Sequence, residues 1–290
     1  MPSNVSREKL LFYSVAGALG GLGAWGAAEP FLGIRSVLSR DLILGALVGF
    51  FIGAFLASIE ALSVSQTRLA LRGVQAGGLI GAIGGAIGLA IGEFAFDLIG
   101  GLNGRILGWA VLGVAVGLGV GWAARSNARR RNGMIGGILG GALGGFVYQA
   151  LTTTFPQAFG RAIAIIILGA LIGFFIGLVT ELLKRGWLMV VRSASRNARE
   201  GREYPLSKAV TVIGRAEECD VGLFGDQTVM GHHAIIRREG RSFLINPTGG
   251  GQVFVNKQPV SGRQPLHNGD RVEIGGTLFV YRERAQATPG

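Results

Sequence analysis

The chain has 290 residues and a formal net charge of +11, with 49% hydrophobic and only 16% charged residues, whereas soluble domains average about 25% charged residues. This composition excludes an ordinary soluble globular protein. Glycine contributes 51 residues, but there are only 8 prolines and glycine does not recur at every third position, which excludes a collagen-like fibre.

The two parts of the chain differ in composition. Residues 1–183 hold 36 of the 51 glycines and only 19 charged residues, whereas the shorter stretch 184–290 holds 26 charged residues. We therefore predict a glycine-rich membrane domain at 1–183, a junction at 184–186, a soluble domain at 187–283 and a disordered tail at 284–290.

Six apolar stretches are long enough to cross a bilayer as helices, which takes about 17–25 residues each. Hydrocarbon forces the backbone to form its own hydrogen bonds and so favours helix despite the glycine content. We predict an α-helical polytopic bundle. The six predicted spans are Leu10–Ala28, Leu42–Ile59, Val74–Ile91, Ile106–Ala124, Met134–Leu151 and Ala162–Thr180.

The spans form three tandem hairpin repeats, because the even-numbered spans carry the same glycine pattern three times. Glycine at every fourth position leaves a helix face without side chains, so that a neighbouring helix can approach closely. The pattern resembles the glycine-zipper segments of some membrane proteins, which implies helix packing; packing within the chain and packing into a homo-oligomer both stay open. The glycines are Gly45, Gly49, Gly53, Gly113, Gly117, Gly121, Gly169, Gly173 and Gly177.

The loop charges predict the orientation in the membrane. The N-terminal segment and the loops after the second and fourth spans carry eight basic residues, whereas the loops on the other side carry four. The positive-inside rule then predicts an integral membrane protein with both the N- and C-termini in the cytoplasm. The single cysteine, Cys219, cannot form an intramolecular disulfide, which fits a reducing compartment.

Charged residues near the spans offer little support for transport. Ionisable groups at mid-membrane would mark a solute pathway, but Glu93 and Asp97 lie at a span end, where interfacial carboxylates are expected. Basic residues around the junction, among them Lys184 and Arg185, suit contact with anionic membrane lipid.

The soluble part consists of short strand-like runs separated by turn residues, which predicts an all-β sandwich. The runs are Trp187–Arg192, Arg202–Leu206, Ala209–Ile213, Val221–Leu223, Ala234–Arg238, Ser242–Ile245, Gln252–Val255, Arg271–Ile274 and Thr277–Tyr281.

Residues 187–283 resemble a forkhead-associated (FHA) domain, a β-sandwich whose loops at one end bind phosphothreonine peptides. The matching segments are Thr211-Val212-Ile213-Gly214-Arg215, Cys219-Asp220-Val221, Asp226 through His233-Ala234, Phe254-Val255-Asn256, and Leu266 through Val272. The resemblance implies that Arg215 binds the phosphate, that His233 buttresses the binding loops from within, that Asn256 orders a loop, and that Gly214 permits the turn before Arg215.

The sequence departs from the family pattern where the remaining ligand contacts would lie. Met230 stands in place of a serine, Gly249 in place of a second serine, and Gly251 in place of the asparagine that holds the peptide backbone. Met230 and Gly251 offer no useful donor, so that phosphothreonine binding and binding of an unphosphorylated partner both stay open. Backbone amides of the run 248–251 can still bind an anion.

No nucleophile–base pair, metal-ligand cluster or phosphate-binding Walker motif occurs in the sequence. We therefore expect no enzyme activity, no metal, no cofactor and no nucleic acid partner. The leading hypothesis is a membrane-anchored adaptor that presents a cytoplasmic FHA-like module to a protein partner, with or without phosphothreonine, in signalling linked to Ser/Thr kinases or in complex assembly. The alternative is a small pore or transport component that the FHA-like domain regulates.

Overall fold

The computed structural model describes residues 7–62, 67–99, 101–155, 158–240 and 242–284. The described chain forms two compact units, one ending at Leu183 and the other beginning at Lys184. The predicted tail lies outside the described residues except for Arg284, whose amide donates a hydrogen bond to the carbonyl of Arg185 at 2.9 Å.

The described residues of the first unit form six α-helices, each long and apolar enough to cross a membrane. The prediction of a six-helix bundle is confirmed. The helices are α1 (Arg7–Ala28), α2 (Val37–Leu62), α3 (Thr67–Ile99), α4 (Gly101–Ala123), α5 (Asn127–Thr154) and α6 (Ala158–Leu182). A short 3-10 helix at Glu29–Phe31 follows α1 and begins with a proline in its first turn, where the missing amide hydrogen costs nothing.

The helices close into a ring in which each helix packs on the next and α6 packs on α1. In α2, α4 and α6, half or more of the residues in the most apolar stretch of the helix are buried. In α1, α3 and α5 the buried share is one third. The even-numbered helices therefore form the centre. Ile52, Leu112 and Ile172 from these three helices are fully buried, so that the centre of the described bundle is a packed apolar core.

The repeated glycines lie at three helix interfaces. At most of these positions an added Cβ would overlap a backbone atom of the neighbouring helix, so the two backbones are in direct contact. The pairs are Gly45, Gly49 and Gly53 against Gly85, Gly81 and Gly77 between α2 and α3; Gly113, Gly117 and Gly121 against Gly137, Gly133 and Arg130 between α4 and α5; and Gly169, Gly173 and Gly177 against Gly17 and Tyr13 between α6 and α1. Each even-numbered helix thus contacts the first helix of the next repeat, and the third repeat contacts the first.

The second unit is a sandwich of two β-sheets. One sheet has the strand order β2-β1-β11-β10-β7-β8 and the other β4-β3-β5-β6-β9. The strands are β1 (Gly186–Arg192), β2 (Glu203–Pro205), β3 (Val210–Gly214), β4 (Val221–Gly222), β5 (Ala234–Glu239), β6 (Ser242–Pro247), β7 (Val253–Val255), β8 (Gln258–Pro259), β9 (Gln264–Leu266), β10 (Arg271–Ile274) and β11 (Thr277–Glu283).

The core of the sandwich follows from alternation along the strands, which sends every second side chain to the same face. In β11, Thr277, Phe279 and Tyr281 are fully buried while the residues between them are partly exposed. Each predicted strand-like run overlaps a strand, and the predicted sandwich is confirmed. The sequence reading missed β8 and β9, which are two and three residues long and each contain a proline.

Candidate functional site

His233 holds together the loops at one end of the sandwich. Its ring is buried, with 2% of the residue exposed. Nδ1 accepts a hydrogen bond from the backbone amide of Met230 at 3.1 Å, and Nε2 lies 2.9 Å from the carbonyl oxygen of Gln252. An amide donor at Nδ1 requires the tautomer with hydrogen on Nε2, which then donates to Gln252. His233 therefore connects the β4–β5 loop to the β6–β7 loop.

The β3–β4 loop joins the same cluster through its backbone. The amides of Arg215 and Ala216 donate to the carbonyl oxygens of Met230 and Gly231 at 2.9 and 3.0 Å. Gly214 lies so close to Gly231 that an added Cβ would overlap its carbonyl oxygen. Glycine at 214 is therefore needed for close approach of the two loops, which is a different reason from the turn predicted from sequence.

Arg215 presents its side chain on the surface of this cluster. The residue is exposed, and within the described part of the chain its guanidinium has no hydrogen-bond or ion-pair partner. Because the backbone of Arg215 is fixed and its guanidinium is unpaired, the guanidinium can bind an incoming anion through two parallel hydrogen bonds.

Three departures from the family pattern lie in the two loops that His233 connects. The Met230 side chain is 47% exposed, so an apolar thioether lies where the family places a hydroxyl. Gly249 and Gly250 have positive φ angles of 62° and 79°, and their amides have no acceptor among the described residues. Gly251 is buried, and a Cβ there would lie 2.7 Å from the ring of His233.

Asn256 does not lie in the Arg215 cluster. It follows β7, whereas Gln252 and its contact with His233 precede that strand, so the two lie at opposite ends of β7. Its Oδ1 accepts from the amide of Arg271 at 2.9 Å and its Nδ2 donates to Asp270 at 2.8 Å. These two bonds join the segment after β7 to the start of β10, away from the Arg215 cluster.

Asp226 fastens the β4–β5 loop to the β10–β11 turn. Its carboxylate accepts hydrogen bonds from the hydroxyl and amide of Thr228 and from the amide of Gly276. Burial alone would raise its pKa, but these hydrogen bonds hold the pKa of Asp226 below its ordinary value. The carboxylate is therefore a structural anion at neutral pH.

The sequence reading also missed contacts from the β1–β2 connection. Nδ2 of Asn197 donates to the carbonyl of Gly222 at 2.8 Å, and its Oδ1 accepts from the amide of Phe224 at 3.1 Å. The Ser195 hydroxyl lies within hydrogen-bond distance of the same Asn197 oxygen, at 2.6 Å, and of the carbonyl oxygen of Phe224, at 2.9 Å. No motif marks these residues, because they act through backbone groups that the folded chain brings together.

Cys219 is buried beside the same loops. Its Sγ donates to the carbonyl oxygen of Gly231 at 3.2 Å, and burial raises the pKa of the thiol to about 11. The thiol is therefore protonated at neutral pH and has a packing role.

Comparison with known proteins identifies the second unit. Residues 211–275 match the family described as FHA domain. The oxoglutarate dehydrogenase inhibitor of Corynebacterium diphtheriae is 34% identical over 103 residues, which are 35% of this chain and 68% of that protein. The glycogen accumulation regulator GarA of Mycobacterium tuberculosis is 35% identical over 95 residues, which are 32% of this chain and 56% of GarA.

Solved structures are similar over the same share of the chain. One, from a structural and functional analysis of phosphothreonine-dependent FHA domain interactions, is 25% identical, with 35% of this chain and 99% of that chain covered and a TM-score of 0.30. Another, the FHA domain of the CT664 protein from Chlamydia trachomatis, is 25% identical, with 35% and 99% covered and a TM-score of 0.31.

The two-sheet sandwich and the family match define the second unit as an FHA domain. Through this C-terminal domain the chain belongs to the FHA-domain family, which confirms the resemblance found in the sequence.

Proposed function

We propose that this protein is a membrane-anchored adaptor whose cytoplasmic FHA domain binds a segment of a partner protein. Membership of the FHA family supports binding as the activity of the C-terminal domain. The six apolar helices support anchoring in a membrane. The loop charges, eight basic residues against four, favour cytoplasmic termini.

The observation that carries the proposal is the free guanidinium of Arg215. Its backbone is fixed by the hydrogen bond to Met230, while its exposed head has no side-chain partner among the described residues. A fixed, unpaired cation at the binding end of an FHA domain favours an anionic ligand group, and phosphothreonine is the group that the family binds.

The residues that replace the family's other ligand contacts indicate which kind of peptide the site would bind. Hydroxyl and amide side chains are replaced by Met230 and glycine, leaving the backbone amides of Gly249 and Gly250 as the available donors. The exposed thioether of Met230 offers apolar contact. We therefore propose a partner segment with one phosphothreonine and an apolar residue next to it, bound more weakly than by a site with the full set of donors.

A peptide library tests this proposal on the full-length protein in detergent. Phosphothreonine peptides and their unphosphorylated counterparts are titrated against the parent, Arg215→Gln and Arg237→Gln. Arg237 is an exposed arginine on β5, so that its substitution removes the same charge from a strand. Binding lost in Arg215→Gln alone supports the proposal, whereas equal loss in both variants would show a nonspecific charge effect.

The proposed orientation has its own test. Protease added to intact cells should spare residues 187–283, and the same protease should digest them after the membrane is permeabilised. Digestion in intact cells would place the domain outside the cytoplasm and remove the adaptor proposal.

The alternative, a pore, has less support. The centre of the described bundle is filled by fully buried apolar side chains of α2, α4 and α6, including Ile52 and Ile172. Purified protein in liposomes should therefore not increase the flux of small ions.

A further inference from the structure

The helical unit contains a polar cavity of about 530 Å³. It lies where α1, α3 and α5 end and where α2, α4 and α6 begin. The volume is within the range of small-ligand sites, roughly 300–1,000 Å³. Its charged lining residues are Arg40, Arg105, Arg161, Glu29, Asp41 and Glu93.

Two of the three arginines already have a carboxylate partner. Arg161 pairs with Glu29, and Nε of Arg40 lies 3.5 Å from Oδ1 of Asp41. Among the described residues, the other two charges have no partner of opposite sign. Arg105 instead contacts the neutral Oε1 of Gln149 at 3.3 Å and lies over the ring of Phe96 at 4.7 Å, and Glu93 has no cation.

Comparison of the hairpin repeats shows why Arg105 has no carboxylate partner. Arg105 and Arg161 each lie eight residues before the first glycine of the motif in their own helix. Arg105 reaches Gln149 on α5, the helix on which its glycine motif packs, and Arg161 reaches Glu29 in the 3-10 helix directly after α1, on which its motif packs. The two repeats therefore place an arginine in the same way, but one partner is an amide and the other a carboxylate. The bundle leaves the charge of Arg105 uncompensated at the cavity.

The cavity also offers acceptors and aromatic faces. Oε2 of Glu29 is buried and has no hydrogen-bond partner. The rings of Trp109 and Tyr148 line the cavity and lie 4.7 Å apart at an angle of 51°. Carboxylates and aromatic faces both attract an ammonium group.

We propose that this cavity binds a small zwitterion that carries a primary ammonium and an oxyanion. The oxyanion binds Arg105, and the ammonium binds Glu93, which lines the same cavity. A zwitterion compensates both unpaired charges without disturbing the two existing ion pairs. Two sources have this chemistry: a free amino acid, and the phosphoethanolamine headgroup of a membrane lipid.

Ligand-induced thermal stabilisation of the full-length protein in detergent tests the proposal. The probes are L-alanine and glycerophosphoethanolamine, with ethanolamine and glycerol 3-phosphate as probes that carry only one of the two charges. The variants are Arg105→Gln and Glu93→Gln. The matched control is Asp97→Asn, which removes a carboxylate one turn further along α3 and outside the cavity lining.

We expect at least one zwitterion to raise the melting temperature of the parent and of Asp97→Asn. In Arg105→Gln and in Glu93→Gln, the apparent Kd of that zwitterion should be weaker by about tenfold or more. Alanine alone identifies a free amino acid, and glycerophosphoethanolamine alone identifies the lipid headgroup. The proposal is overturned if neither zwitterion stabilises the parent, if a singly charged probe binds as tightly, or if both cavity variants bind like the parent.

Discussion

The backbone amide of Met230 donates a hydrogen bond of 3.1 Å to Nδ1 of His233. The same residue, Met230, also accepts a hydrogen bond at its carbonyl oxygen from the backbone amide of Arg215, at 2.9 Å. The cation that we propose binds the ligand is therefore positioned through His233, whose ring is buried.

Replacing His233 with alanine should separate the loops. The change removes the hydrogen bonds to Met230 and Gln252, each of which contributes about 0.5–1.5 kcal/mol. We expect a lower unfolding temperature of the FHA domain and weaker peptide binding. The control is His267→Ala, at a side chain that is 77% exposed in another loop, and it should change neither property. Equal effects of both variants would contradict the role of His233.

The glycine contacts predict a position-specific effect of one methyl group. In Gly49→Ala the new Cβ would overlap the carbonyl oxygen of Gly81, so α2 and α3 must move apart, at a cost of about 1–3 kcal/mol. Gly117→Ala and Gly173→Ala should act in the same way at the other two interfaces. Thermal unfolding of the full-length protein in detergent measures the loss.

Gly26→Ala is the control for these three variants. Gly26 lies in α1 with no atom within 4 Å of an added Cβ, and alanine favours helix over glycine. It should be neutral or slightly stabilising. If Gly49→Ala melts like Gly26→Ala, the glycines do not hold the helices together.

The hydrogen-bonded carboxylate of Asp226 predicts a pH dependence of stability. Because the folded pKa lies below the unfolded value, its contribution is present above the unfolded pKa, about 3.9, and is lost as the pH falls through the folded value. Asp226→Asn should lower stability at pH 7 and flatten the decline between about pH 5 and pH 2. Thermal unfolding across this range measures both. Glu239→Gln, at an exposed carboxylate, should keep the parent's profile, and an unchanged profile in Asp226→Asn would contradict the assignment.

Two of the three departures from the family pattern, Met230 and Gly251, predict different outcomes when reversed. Met230→Ser places a hydroxyl beside Arg215 and should strengthen phosphothreonine-peptide binding by about tenfold. Gly251→Asn should destabilise the domain, because its Cβ would lie 2.7 Å from the ring of His233. Peptide titration and thermal unfolding of each single variant separate the effects. A stable Gly251→Asn would show that the ring can shift.

The sequence predicted the elements better than their contacts. Apolar length alone is enough to locate six helices, and alternation locates nine strands, because both signals are local. The strands β8 and β9 were missed because two or three residues with a proline carry no pattern of their own. They exist because neighbouring strands offer them partners.

The contact between α6 and α1, which closes the ring of helices, could not be predicted from the sequence. Glycine spacing in α6 identifies a bare helix face, but it does not say that Gly169 contacts Gly17, more than 150 residues earlier. The same holds for the cavity. From the sequence, Glu93 is predicted to be an interfacial carboxylate. Only the fold shows that Glu93 and Arg105 line the same cavity. In the FHA domain the motifs included Arg215 and Asp226, whereas Asn197 acts through backbone groups of Gly222 and Phe224 and belongs to no motif.

The most direct test of the adaptor account is the coupling between Arg215 and the phosphate. The Kd of the best library peptide, with and without its phosphate, is measured for the parent and for Arg215→Gln in the full-length protein. If Arg215 binds the phosphate, removing either partner should weaken binding by about tenfold or more, and removing both should cost little beyond removing one. Additive losses, or a phosphate preference that persists in Arg215→Gln, would show that the ligand binds elsewhere on the domain.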